Sequence, residues 1–228
     1  MRQGIGGMLQ IRCENLHFRY SGKFAHSNFE LNVGEFAPCG KCTAIMGNNG
    51  SGKTTLGKLV AGVLAPTSGF VYYDDVNIAT LKLGEIGKQV GYLFQEPSRQ
   101  IFAAKPLDEI ALPLTLRGVD EGEAKEIAAK MLAKFDLSHI ESSTTFNLSR
   151  GEKQRLAIAA TMVMNPQFFV LDEPTTGLDK PRRHILADTL KAMMEEGMGI
   201  ILISHDAQFV EDMGASVRHM EGGVMLDG

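Results

Sequence analysis

The stretch Gly47-Asn48-Asn49-Gly50-Ser51-Gly52-Lys53-Thr54-Thr55 decides how the rest of this sequence is read. A short apolar run, Cys42 to Met46, leads into it, and a helical pattern from Leu56 to Leu64, stopped by Pro66, follows it. Strand, glycine loop and helix in that order give the pattern G-x-x-x-x-G-K-T the context in which it cradles phosphate. Gly47, Gly50 and Gly52 permit backbone torsions that aim several N–H groups inward, and the positive end of the following helix assists them. Asn48, Asn49, Ser51 and Thr55 belong to the same expected nucleotide-binding stretch. Lys53 is expected to reach the β- and γ-phosphates. The Thr54 hydroxyl is expected on Mg2+, whose octahedral shell is completed by phosphate and water.

Upstream, Leu9, Ile11 and Cys13, then Phe18 and Tyr20, then Phe29, Leu31 and Val33 alternate as strands do, which predicts an antiparallel sheet. Downstream, Val90 to Phe94, Phe168 to Leu171 and Gly199 to Ile203 are short apolar runs separated by helical segments, the pattern of buried parallel strands. Between Arg99 and Leu148 the apolar residues Ile127, Met131, Leu132 and Phe135 recur at helical spacing, which predicts an inserted helical subdomain. The fold class is therefore α/β: a P-loop core with a mainly parallel sheet, an N-terminal antiparallel part and a helical insertion. One domain over residues 1–228 is expected, with the core at about 1–98 and 151–228 and the insertion at about 99–150.

Composition narrows the function classes. A chain of 228 residues with 44% hydrophobic side chains buries a substantial core. Its longest apolar runs fall far short of the roughly 20 residues that span a bilayer, so no direct membrane insertion is expected. The opening MRQGIGGMLQ lacks the apolar h-region of a secretory signal, and three cysteines fit a reducing compartment, so a cytoplasmic location is expected. A net charge of -4 gives no bulk electrostatic reason for nucleic acid as a partner.

A second chemical centre is expected where the apolar run Phe168-Phe169-Val170-Leu171 ends in Asp172-Glu173. Asp172 is read as a ligand of the Mg2+ shell and Glu173 as the base that takes a proton from the attacking water.

At this point the sequence resembles the ATP-binding-cassette (ABC) ATPases. Leu148-Ser149-Arg150-Gly151-Glu152 is similar to their signature segment, Gln95 to the Q-loop glutamine, Gly177-Leu178-Asp179 to the D-loop and Ser204-His205-Asp206 to the switch histidine. The motifs stand in the family's order and cover essentially the whole chain. The resemblance implies an ATPase that binds ATP and Mg2+, with Gln95 reaching the metal and the attacking water. It implies that His205 contacts the γ-phosphate region and holds Glu173, and that Tyr20 stacks on adenine, with Phe18 a weaker candidate. It also implies a second ABC ATPase subunit, identical or not, paired head to tail. Ser149 and Gly151 would then bind the γ-phosphate of the opposite subunit, and Asp179 would couple the two sites. A transmembrane coupling protein is the other implied partner and would hold the chain peripherally on the inner face of the cell membrane.

The signature departs from the family, which usually has glycine at Arg150 and glutamine at Glu152. A further departure is an apparent extension of about six residues around Gly34 to Gly40. The pair Cys39 and Cys42 raises a zinc or redox reading, with Cys13, His17 or His26 as further ligands; a turn leading into a strand is the preferred reading. The run from Phe94 to Ala103 resembles the Q-loop region of energy-coupling-factor and cobalt-type importers, which carry vitamins or transition-metal ions. Gln100, Ile101 and Phe102 are expected to face a groove for the transmembrane partner. With Gly228 soon after the last core strands, no C-terminal regulatory extension is expected. An ATP-dependent binding subunit with weak hydrolysis and a non-transport ABC ATPase are the alternatives.

Overall fold

The computed structural model describes residues 9–20, 30–38 and 41–226. Readings on residues 1–8, His26, Phe29, Cys39 and Gly40 lie outside the described residues. Strands β1 (Ile11–Arg19), β2 (Glu30–Phe36) and β3 (Cys42–Met46) precede helix α1 (Lys53–Val60). Next come β4 (Ser68–Tyr73), β5 (Val76–Asn77), the single-turn α2 (Leu83–Ile86) and β6 (Val90–Leu93). Three helices follow, α3 (Pro106–Thr115), α4 (Glu121–Lys134) and α5 (Arg150–Met162). After β7 (Phe168–Asp172) the chain runs through α6 (Lys180–Glu195), β8 (Gly199–Ile203), α7 (Ala207–Asp212), β9 (Ser216–Glu221) and β10 (Val224–Leu226).

Among the described residues ten strands join one sheet in the order β5-β4-β1-β2-β10-β9-β3-β8-β7-β6. The half from β9 to β6 is parallel, whereas β5, β4, β1 and β2 pair antiparallel. The parallel strands are buried on both faces, so their period of two sorts residues between two cores. In β7, Phe169 and Leu171 pack with α5 and α6 on one side, while Phe168 and Val170 pack with α1 on the other. In β8, Ile200 and Leu202 divide from Ile201 and Ile203 in the same way.

Helix α5 fits against β6 because Gly91 has no side chain. A Cβ there would come within 2.8 Å of the Thr161 methyl and 3.2 Å of the Phe169 ring. The apparent insertion before the phosphate loop is partly strand, since β2 runs through Gly34, with φ 62°, to Phe36. Because β3, β6, β7 and β8 are parallel, the loops that leave their C-terminal ends all emerge on one edge of the sheet, where α/β proteins place their ligands. The loops carrying Lys53, Gln95, Glu173 and His205 are those four.

Candidate nucleotide site

The phosphate loop is held from below. Gly47 passes so close to β9 that a Cβ would lie 2.0 Å from the Met220 carbonyl oxygen. The Ser51 carbonyl accepts from Gly223 N–H at 2.9 Å. Gly52 opens α1 with φ 103°, a conformation that costs an L-residue with a side chain energy and glycine nothing comparable. Lys53 as a residue is 7% exposed, and its ammonium donates to the carbonyls of Gly47 and Asn48 at 2.7 and 2.8 Å. Burial lowers its pKa from the ordinary lysine value, and the Glu173 and Asp172 carboxylates oppose that shift.

Around this loop opens a cleft of about 470 Å³, lined by Tyr20, Asn49, Thr54, Gln95, Asp172 and Glu173 among others. The Tyr20 hydroxyl and Thr55 Oγ1 lie 3.2 Å apart. Phe18, by contrast, is 8% exposed in the core beneath Tyr20, with the rings edge to face at 4.7 Å, so it presents no free face to a base. Between the two aromatics the cleft therefore offers Tyr20.

The strand end separates the two acids. Asp172 finishes β7, and Glu173 takes φ 52°, a left-handed conformation uncommon for a long side chain. Such strain is found at functional sites, where the surrounding structure enforces it; here Glu173 N–H donates to the Ile203 carbonyl at 2.8 Å. Asp172 Oδ2 accepts from the Tyr92 hydroxyl at 3.2 Å, while Oδ1 is buried without a hydrogen-bond partner. Burial raises the Asp172 pKa, and the Thr54 and Tyr92 hydroxyls offset part of that rise. His205 Nδ1 lies 2.8 Å from Glu173 Oε2, a contact without hydrogen-bond alignment. The histidine is 73% exposed and the Glu173 side chain 9%.

An orphaned carboxylate oxygen beside a hydroxyl and a phosphate cradle fits a hard cation. Thr54 and Asp172 are the protein donors that would hold Mg2+, with Gln95 bordering them. Among the described residues no cluster of three His, Cys, Asp or Glu side chains forms a metal site by itself. The zinc reading also involves Cys39 and His26, which lie outside the described residues. Cys13 and Cys42 stand four strands apart in the sheet order, about 19 Å along it at ~4.8 Å per strand. Burial pushes the Cys42 thiol up to about 12.

Ser149 and Gly151 lie away from this cleft, at the start of α5. Ser149 caps the helix, its hydroxyl 2.6 Å from Glu152 Oε2, which also accepts from Ser149 N–H at 2.8 Å. His139 Nε2 is 3.1 Å from the other Glu152 oxygen. The unusual glutamate thus completes a capping box. Arg150 lies 4.0 Å from Glu96, and its stem packs against the backbone of Gly177. Asp179 caps α6, accepting from Arg182 N–H at 3.0 Å.

Sequence reasoning missed Tyr92, because nothing in an apolar run reveals a hydroxyl aimed at Asp172. It also missed Arg183, which donates to Asp206 at 2.7 Å and to the Leu178 carbonyl at 3.1 Å, tying the Asp179 loop to the His205 loop. Gln100 was placed in a partner groove, and the structure turns it inward onto β6. Ile101 packs against the helical core, and Phe102, at 81% exposure, faces solvent.

Comparison with known proteins agrees with this geometry. The family described as ABC transporter matches residues 31–176. The energy-coupling factor transporter ATP-binding protein EcfA1 of Thermotoga maritima is 36% identical over 217 residues, 95% of this chain and 80% of that protein. The structure of cbiO1 from Clostridium perfringens, part of the ABC transporter complex cbiONQ, superposes with a TM-score of 0.75 at 30% identity, over 95% of this chain and 86% of that one. The dimeric post-hydrolysis state of the ATP-binding cassette MJ0796, bound to ADP and Pi, gives a TM-score of 0.80 at 25% identity, over 95% and 97%. Curated relatives differ in length: the chain spans 80% of the Thermotoga protein but 38% and 35% of two others.

Proposed function

This chain belongs to the ABC transporter family, and we propose that it is the subunit that binds and hydrolyses ATP to drive an importer. The observation that carries the reading is the meeting of Tyr20, Lys53, Thr54, Gln95, Asp172 and Glu173, from separate segments, on one cleft. Tyr20 supplies an aromatic face for the base. The Lys53 ammonium and the N–H groups opening α1 take the β- and γ-phosphates. Thr54 and Asp172, with Gln95 beside them, would hold Mg2+, which would supply charge neutralisation for the phosphates. Glu173 accepts the proton of the attacking water, and His205, against the same carboxylate, keeps it turned toward the γ-phosphate.

In this reading two copies, or this chain and a close relative, pair head to tail. Ser149 and the Gly151 N–H at the start of α5 then bind the γ-phosphate held by the opposite subunit, and Asp179 couples the sites. A transmembrane protein docks beside α3, where Phe102, Leu112 and Leu116 are exposed and a groove of about 300 Å³ opens between Ala103, Asp108, Val119 and Lys125. Among the described residues no helix is long and apolar enough to cross a membrane, so the membrane contact falls to that partner. The EcfA1 and cbiO1 likenesses support an importer of the energy-coupling or cobalt type, with a vitamin or a transition-metal ion as cargo.

The test is Glu173→Gln. A neutral amide keeps the phosphate cradle but accepts no proton, so hydrolysis is expected to fall about 10²- to 10⁴-fold while ATP affinity stays near that of the parent. Sedimentation should show an ATP-dependent dimer. Hydrolysis within about threefold of the parent removes Glu173 as the base.

A further inference from the structure

Among the described residues strand β6 ends the sheet order, and one of its edges has no strand beside it. One side chain serves the backbone groups there. Gln100 Oε1 accepts from Phe94 N–H at 2.9 Å, and Gln100 Nε2 donates to the Tyr92 carbonyl at 3.2 Å. Residues two apart in a strand present their backbone groups on the same edge, so this amide stands where the peptide of a neighbouring strand would. The second Nε2 proton goes to Thr161 Oγ1 at 3.1 Å, whose own proton goes to the Ala157 carbonyl at 2.9 Å. Thr161 lies in α5, the helix that begins at the Ser149 cap.

The loop from Gln95 to Gln100 is thereby closed at both ends on β6 and fastened at its far end to α5. At its near end Arg150, in the first turn of α5, lies 4.0 Å from Glu96; that half-exposed pair adds direction and little strength. Tyr92 completes the chain of contacts, with its hydroxyl on Asp172 and its carbonyl on the Gln100 amide. Sites communicate through an element whose arrangement both of them bias. Helix α5 meets that condition only if the Gln95 loop cannot move without it.

We infer that Gln100 is a positioning residue that ties the loop bearing Gln95, the end of β6 and the helix bearing Ser149 into one mechanically linked unit. Nucleotide in the cleft then sets where this subunit offers Ser149. The inference rests on the ATP-binding reading above. It concerns a residue that touches neither nucleotide nor metal.

Hydrogen exchange on the full chain, in the Glu173→Gln background that retains ATP and at a concentration low enough for sedimentation to show a monomer, reads the link without turnover and without contacts from a second copy. ATP is expected to slow exchange at least about fivefold both in α1 and in the first turns of α5. Gln100→Ala and Thr161→Val should each abolish the protection in α5 and leave that in α1. Gln100→Glu, which keeps the acceptor for Phe94 N–H but sets a carboxylate against the Tyr92 carbonyl, should weaken the protection in α5 and leave that in α1. In the background with Glu173 intact, each variant should lower kcat about tenfold with ATP affinity within about twofold, and the double variant should be no worse than the more severe single one.

Protection of α5 that survives in Gln100→Ala, or ATP that protects α1 alone in the parent, overturns the inference. Losses of rate and affinity in equal measure, or additive effects, reduce Gln100 to a stabiliser of the fold and overturn it too. Parent protein in which ATP protects neither helix fails the nucleotide-binding reading itself, and the inference falls with it.

Discussion

Asp172 shows how function and stability oppose each other at a single residue. Its side chain is buried, with one oxygen unpartnered, and burial raises its pKa. The folded chain therefore binds this proton more tightly than the unfolded chain does, and the stability so gained is lost as pH rises through the raised pKa. Above that pH the ionised carboxylate destabilises the fold. Asp172→Asn should accordingly stabilise the protein by about 1 kcal/mol near neutral pH, read as a melting temperature higher by about 2 to 4 °C. The gain should vanish below the ordinary carboxylate range, where the parent side chain is protonated as well. Mg2+-dependent hydrolysis should be lost at every pH. A variant that melts lower than the parent near neutral pH contradicts the account of burial.

At the scale of elements, legibility followed the strength of local pattern. The phosphate loop and its helix, and the strands β6, β7 and β8, were readable because short apolar runs bounded by glycine, proline or acid have few alternatives. Strands β4, β5, β9 and β10 were not. Their burial is partial, with Phe70, Val76, Val217 and Val224 exposed, so no apolar run or clean alternation marks them. Tyr20, Lys53, Thr54, Asp172 and Glu173 were legible in the sequence; the last four converge because parallel strands end on one edge, and Tyr20 reaches them from the end of the antiparallel β1. Gln100 was legible as a residue and misplaced in direction, because a polar side chain between Pro97 and Phe102 carries no local sign of facing a sheet edge.

Phe102 sits at the opposite extreme. Its backbone N–H and that of Ala103 donate to the buried Glu109 carboxylate at 2.8 and 2.6 Å, so the exposed ring stands on a fixed support. Phe102→Ala should therefore leave the isolated subunit folded and hydrolysing at the parent rate. A reconstituted transporter should lose most transport or release the subunit in co-purification. Normal transport would remove Phe102 from the partner surface, and an unfolded variant would make it part of the core.

For the whole molecule, Lys53 and Ser149 lie on different parts of the chain, and the first lines the cleft while the second does not. In the head-to-tail pairing proposed above, each working site would be made from two copies. Lys53→Ala and Ser149→Arg should each be nearly inactive alone, the first in its own cleft and the second toward its partner. A mixture should regain activity, because a Ser149→Arg copy keeps an intact cleft that a Lys53→Ala copy can complete. Statistical pairing limits the recovery to about a quarter of the parent rate. A mixture as inactive as its components would rule out sites shared in this way.

The contact of Gly47 and Ser51 with Met220 and Gly223 has a consequence in time. The phosphate loop is made early in synthesis, yet the strands that brace it leave the ribosome much later. While the helices and middle strands emerge, the loop has no floor, and a nascent chain is poorly able to grip ATP. On the proposed function, competence for nucleotide is thereby deferred until β9 and β10 have closed beneath the loop, and a chain truncated before β9 should bind ATP weakly.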